Sequence, residues 1–383
     1  MSTSGLEGVV VAQTKLSAIN GAEGELIYGG YEIDDLARHT TFEEVCYLLW
    51  NGELPNQAQL DGLRAQLAAE QDAAPELIEM LRAYPRTADP MAGLRTIVSA
   101  LGMFDPNADD NTEPELRRKA ILLTAKMPTL TAAFERIRNG KEPVAPRAGL
   151  SMAANFLYML NGEEADEIRV RTMDAALILH AEHGMNASTF AARVTAGTLS
   201  DVYSAIVSAI GTLKGPSHGG ANVEVMNMLR DIAQSGTEPE AWVDHALESG
   251  RRVMGFGHRV YKATDPRAKV LRDLADQIVP AEGGEGGRGG RYWLDLSDRI
   301  RSHMQARMEA AGKKIYPNVD FFSASVYTTL GIPEDLFTAV FAMARTPGWT
   351  AHLFEQYAKN RLIRPEAEYT GPRGLTVKPV GER

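Results

Sequence analysis

Residues 113–139, EPELRRKAILLTAKMPTLTAAFERIRN, place apolar side chains three and four positions apart along their length, and that period predicts one long helix. The same period recurs on either side. It runs through 42–51, 57–70, 75–84 and 90–103 upstream. Downstream it fits 147–161, 165–197, 199–213, 219–233, 238–249, 265–279, 292–312, 321–330, 333–345 and 349–360. Pro55, Pro85, Pro90 and the stretch DPNADDNT (105–112) punctuate the helices. Only the first thirty residues read differently. Alternating polarity around Gly21 and Gly29-Gly30 suggests one or two short strands, VVVAQTKLSAI (9–19) and GELIYGG (24–30). The expected class is therefore all-α with minor N-terminal β-strands. The run PAEGGEGGRGGR (280–291) lacks the Lys-Ser/Thr ending of a phosphate loop and reads as a flexible connector.

At 383 residues the chain suits one large domain or two unequal ones. A net charge of −10 argues against nucleic acid as the main partner, although clustered arginines can still receive a small anion. Cys46 is the single cysteine, so an intramolecular disulfide and multi-thiolate zinc sites are excluded. The first residues do not read as a secretory signal, and no apolar run reaches the ~20 residues of a membrane span. A cytoplasmic location is expected.

Candidate chemistry lies around four of the eight histidines: His180 and His183 in LHAEHGMNAST, His218 in GPSHGGAN, and His258 in GFGHRV. The other four, His39, His245, His303 and His352, read as surface or helix-end residues. Gly215-Pro216 breaks a helix and Ser217 is a plausible N-cap, which puts His218 in a first turn where the dipole keeps the ring neutral. A neutral imidazole can donate a hydrogen bond to a carbonyl that is becoming an enolate. His183 and Asn186 sit three apart, as on one helix face; His180 with His183 reads as a core polar network more readily than as a metal site. In GFGHRVYKATDPR (255–267), Asp265-Pro266 is a strong helix start, and Arg267 then faces the positive end of the dipole at a cost of up to ~1 kcal/mol. A bound anion would offset that cost, and Arg259 and Lys262 are nearby. Asp320 reads as an N-cap or as a general base at a helix start. Arg345 reads as closing a helix before Thr-Pro-Gly, and Arg364 lies in a polar tail.

Six segments in order resemble citrate synthase: LEGVVVAQTKLSAINGAEGELIYGGYEI (6–33), LHAEHGMNAST (179–189), GPSHGGANVEV (215–225), GFGHRVYKATDPR (255–267), YPNVDFFSASVY (316–327) and NRLIRPEAEYTGP (360–372). The resemblance runs essentially end to end. It implies a citrate synthase fold with two helical domains around a cleft: 1–218 and 323–383 form the large domain and 219–322 the small one. The short length resembles the compact bacterial and archaeal form, commonly a homodimer.

The resemblance also implies roles. His218 matches the histidine that binds the thioester carbonyl of acetyl-CoA, Asp320 the base for its methyl proton, and His258 the partner of the oxaloacetate ketone. His183, with Asn186 nearby, matches the oxaloacetate pocket. Arg267 and Arg345 match its carboxylate ligands, and Arg364 an arginine that reaches the neighbouring subunit's site. Arg259 and Lys262 would contact coenzyme A. Gly184 departs from a glutamate often found there in the family. No cofactor and no metal are expected, since acetyl-CoA is a substrate. The rival readings are 2-methylcitrate synthase acting on propionyl-CoA, a histidine-rich metal hydrolase, and a catalytically silent helical dimer.

Overall fold

The computed structural model describes residues 4–6, 8–257, 260–279 and 290–383. An antiparallel sheet of Ser17–Asn20, Glu25–Tyr28 and Tyr31–Glu32 is the one sheet among them. Ser17 pairs with Tyr28 and Asn20 with Glu25, and Gly24 takes a left-handed φ of 72° in the turn between them. Leu26 and Tyr28 point into the core from alternate positions of the middle strand. The strands are shorter than the polarity pattern suggests, because residues 9–16 have no strand partner.

The described residues also form sixteen α-helices and three short 3-10 helices. Local chemistry sets many of the boundaries. Thr41 and Glu44 form a reciprocal capping box at the start of Phe42–Asn51, and Asn56 with Gln59 does the same for Gln57–Glu70. Asp89-Pro90 and Asp265-Pro266 start helices with a capping carboxylate followed by proline. The opening stretch folds as Glu113–Arg138. That helix and Phe337–Ala358 are buried on nearly all faces, as central helices are, and they pack on each other. The helices Phe42–Asn51, Glu167–His180, Ala187–Ala196 and Val202–Leu213 surround Phe337–Ala358. The later helices Ala221–Ser235, Pro266–Ile278 and Gly290–Ala310 pack on Val319–Thr329, and Pro266–Ile278 also touches Glu167–His180.

Four local expectations are corrected. The single helix expected over 165–197 is two, Glu167–His180 and Ala187–Ala196, because Gly184 takes a φ of 59° and Asn186 caps the second. His183 and Asn186 therefore do not share a helix face. The helices expected at 333–345 and 349–360 are one, Phe337–Ala358, which runs through Pro347. Arg345 thus sits mid-helix and closes nothing. Gly220, not Ser217, stands at the N-cap of Ala221–Ser235, so His218 lies in the turn before the helix. Asn318, not Asp320, caps Val319–Thr329, which leaves Asp320 in its first turn. The segment 280–289 of the Gly-rich connector lies outside the described residues.

Candidate active site

One cleft of about 890 Å³ gathers His183, Asn186, His218, Arg267, Asp320 and Arg345. The turn at 181–186 carries His183 and Asn186, and the other four each stand on a separate support. His218 is carried by the 215–220 turn, whose backbone closes through His218 N–H to Gly215 O at 2.9 Å. A Cβ on Gly219 would lie 2.5 Å from Leu213 O, so only glycine lets the turn fold this tightly. Ser188, in the first turn of Ala187–Ala196, holds the imidazole. Its N–H donates to His218 Nε2 at 3.3 Å and its Oγ lies 2.8 Å from the same atom. A ring nitrogen that accepts an N–H carries no proton, so the proton of neutral His218 is on Nδ1. Burial, helped by Arg345, lowers the His218 pKa to about 4, so neutrality comes from desolvation and a nearby cation rather than from a helix dipole.

Asp320 lines the same cleft, within the electrostatic reach of two arginines. Burial raises its pKa to about 6; Arg267 and Arg345 oppose the rise and Asp265 adds to it. A carboxyl at that value is ionised near neutral pH and is a stronger base than an exposed aspartate. Arg345 is 1% exposed, donates through Nε to His180 O and stacks over Phe341 at 4.9 Å. Burial lowers its pKa to about 10, so it keeps its charge.

Arg267 resolves the dipole puzzle. Its Nε and Nη2 reach the two oxygens of Asp265 at 3.0 and 2.8 Å, and its own N–H caps on Asp265 Oδ1. Asp265 Oδ2 also accepts from Val319 N–H at 3.1 Å, which ties the starts of two helices to one carboxylate. The arginine's unfavourable place is thus partly offset within the protein, and it still lines the cleft. His183 Nε2 lies 3.2 Å from Tyr261 Oη. The Asn186 amide is engaged in capping: Oδ1 accepts from Ser188 and Thr189 N–H, and Nδ2 donates to Thr189 Oγ1 at 3.0 Å.

Not every expected residue joins the cleft. His258 and Arg259 lie outside the described residues. Lys262 is exposed and borders a smaller cavity beside Tyr261 and Tyr316, with its N–H bonded to Gly21 O at 2.7 Å. Arg364 is exposed in the segment that follows Phe337–Ala358 and does not line the cleft of its own chain. Among the described residues, no three His, Cys, Asp or Glu side chains converge as metal ligands would.

With this geometry in place, the family profile "Citrate synthase, C-terminal domain" matches residues 5–366. The chain belongs to the citrate synthase family. The citrate synthase of Haloferax volcanii is 50% identical, covering 99% of this chain and 98% of that one. Citrate synthase 2 of Bacillus subtilis is 49% identical over 100% of this chain and 99% of its own. A solved citrate synthase of Thermoplasma acidophilum, in ternary complex with carboxymethyl coenzyme A and oxaloacetate, superposes with a TM-score of 0.89 at 32% identity, covering 99% of this chain and 98% of that one.

A support layer behind the cleft escapes sequence reading. His352 is wholly buried rather than on a surface, with Nε2 3.0 Å from Glu182 Oε1. Glu182 also accepts from Ser17 Oγ at 2.9 Å, and its backbone carbonyl takes the Tyr28 hydroxyl at 2.6 Å. Burial works against ionising Glu182, but His352 and Arg345 outweigh it and its pKa falls below the usual range. The sheet and Phe337–Ala358 thereby clamp the turn that presents His183. Ser188 lies within LHAEHGMNAST, yet a serine after Asn-Ala carries no signal of its target. The Asn-x-Ser-Thr pattern was the available hint, as a helix start.

Proposed function

We propose that the chain condenses acetyl-CoA with oxaloacetate and water, giving citrate and coenzyme A. The observation that carries this is the shared cleft: a neutral histidine and a carboxylate of raised pKa line it together with two buried arginines. A thioester α-proton is a very weak acid, so removal needs stabilisation of the enolate oxygen as it forms. Asp320 takes the methyl proton while His218 Nδ1–H donates to the thioester oxygen. The enol carbon then bonds to the oxaloacetate ketone carbon, and that carbonyl becomes a hydroxyl by gaining a proton; the resemblance gives this step to His258. Arg267 and Arg345 suit the two carboxylates, with His183 beside them. Water then cleaves the citryl thioester. The reaction needs neither metal nor cofactor.

In this reading the small domain, 219–322, closes on oxaloacetate first, which keeps the enol from water. The enzyme works in the cytoplasm as a homodimer, with Arg364 completing the partner's site and Arg259 and Lys262 meeting coenzyme A. The test is turnover with acetyl-CoA against propionyl-CoA, alongside Asp320→Asn. Higher kcat/KM with acetyl-CoA and loss of citrate formation in the variant are expected. A clear propionyl preference would make the chain a 2-methylcitrate synthase, and an Asp320→Asn enzyme running at the parent rate would remove the assigned base.

A further inference from the structure

Behind the cleft wall three buried polar atoms lack partners. Asp320 Oδ1, Tyr327 Oη and His180 Nε2 have no hydrogen-bond partner among the described residues. Buried polar groups are nearly always paired, so three such atoms in one neighbourhood require a reason. Asp320 and Tyr327 are seven positions apart on Val319–Thr329, two turns along the same face. A long helical side chain leans toward the N-terminus, which sends the Tyr327 phenol back toward Asp320. The His180 ring lies against that phenol, with centroids 6.2 Å apart.

The donor and acceptor roles are determined. His180 Nδ1 is 2.8 Å from Ala176 O and must donate to it, so the neutral ring offers Nε2 as an acceptor. Burial lowers the His180 pKa to about 3, so that nitrogen stays unprotonated. Burial, with the Asp320 carboxylate adding to it, pushes the Tyr327 phenol up, so it keeps its proton. The neighbourhood therefore holds one donor, Tyr327 Oη–H, and two acceptors, Asp320 Oδ1 and His180 Nε2. One water molecule complements that set: it accepts from the phenol and donates to the other two.

We propose that Tyr327, backed by His180, is a positioning residue for Asp320, holding the inward carboxylate oxygen through one enclosed water so that the other oxygen faces the cleft. This rests on the reading of Asp320 as the base. A carboxylate free to rotate would present its basic oxygen to the thioester methyl only part of the time; a held one is oriented in advance. Donation toward Oδ1 also favours the ionised form against the burial that disfavours it. The other groups acting on Asp320 are Arg267 and Asp265 from the start of Pro266–Ile278 and Arg345 from Phe337–Ala358; His218 lines the same cleft. The helices Ala221–Ser235 and Gly290–Ala310, which also pack on its helix, bury no titratable side chain.

The test is Tyr327→Phe, which keeps the ring and removes only the hydroxyl, compared with Asp320→Asn and the parent. Expected are a kcat about tenfold lower, an unchanged KM for oxaloacetate, and an acid limb of the kcat profile moved up by about one pH unit. An acid limb that stays in place overturns the proposal, whatever happens to kcat, because a purely structural role would not move it. Activity retained in Asp320→Asn would instead show that the base itself is wrong; an inactive Asp320→Asn with an unmoved Tyr327→Phe limb rejects the positioning role alone. Should Tyr327→Phe fail to fold, a fluorinated tyrosine at the same position supplies the readout. Its more acidic hydroxyl is a stronger donor and moves the limb downward, and an unmoved limb again overturns the proposal.

Discussion

At the scale of single residues, the proposed role of the Asp320 carboxyl couples activity and stability with opposite signs. Its pKa in the folded chain is raised to about 6, against 3.8 for an ordinary aspartate. Between those values the native state holds a proton that the unfolded chain has released. The contribution to stability is therefore full at low pH and is lost as pH rises through about 6. The proposed role as base needs the ionised form, so kcat should fall as pH drops through the same region, which a kcat–pH profile would reveal. Asp320→Asn should be inactive in a citrate-formation assay yet have a higher denaturant midpoint than the parent at pH 8, with the gap closing toward pH 4. Ser188→Ala deletes the hydroxyl against His218 but keeps the backbone N–H. It should lower kcat roughly three- to tenfold with little change in KM for oxaloacetate, as measured by steady-state kinetics. The residues that could be read from sequence were those with unusual local settings, such as His218 between glycines and Arg267 behind Asp-Pro. Glu182 and His352 could not be read, because their significance is a contact between residues 170 positions apart.

At the scale of elements, helix starts were legible where an aspartate precedes a proline, as at Asp89 and Asp265, but not where Asn186 and Asn318 supply the cap. Phe42–Asn51 and Gln57–Glu70 begin and end where periodicity and caps put them. Helix continuity was less legible. Pro347 looks like a terminator because it lacks an N–H and crowds the preceding turn. Yet Phe337–Ala358 continues through it, buried almost throughout and with the Pro347 carbonyl accepting from Trp50 Nε1 at 3.2 Å. Tertiary packing overrides the local preference there. Gly348, next along, is where that helix meets the His183 turn: a Cβ would sit 2.2 Å from Ala181 O. Gly348→Ala should therefore destabilise the fold by about 1–3 kcal/mol, seen as a lower denaturant midpoint. It should also raise KM for oxaloacetate, because the displaced turn carries His183.

At the scale of the whole molecule, the proposed dimer makes a prediction that no single variant can. An Arg364→Ala chain keeps its own Asp320, and an Asp320→Asn chain keeps its own Arg364. If Arg364 serves the partner's cleft, each homodimer is impaired, but co-refolded mixtures regain activity. Random pairing gives one intact cleft in each mixed dimer, so recovery should approach about a quarter of parent activity. An arginine acting within its own chain gives no recovery. The contact of Lys262 N–H with Gly21 O spans most of the sequence, and a Cβ on Gly21 would meet Val260 O at 2.2 Å. That seam also sets a timetable. At about 5–20 residues per second on the ribosome, the N-terminal hairpin waits roughly 10–50 s for the segment it docks against. Until that segment emerges, the Gly21 carbonyl lacks the N–H it accepts from, which ties the docking of the hairpin's turn to the last third of translation.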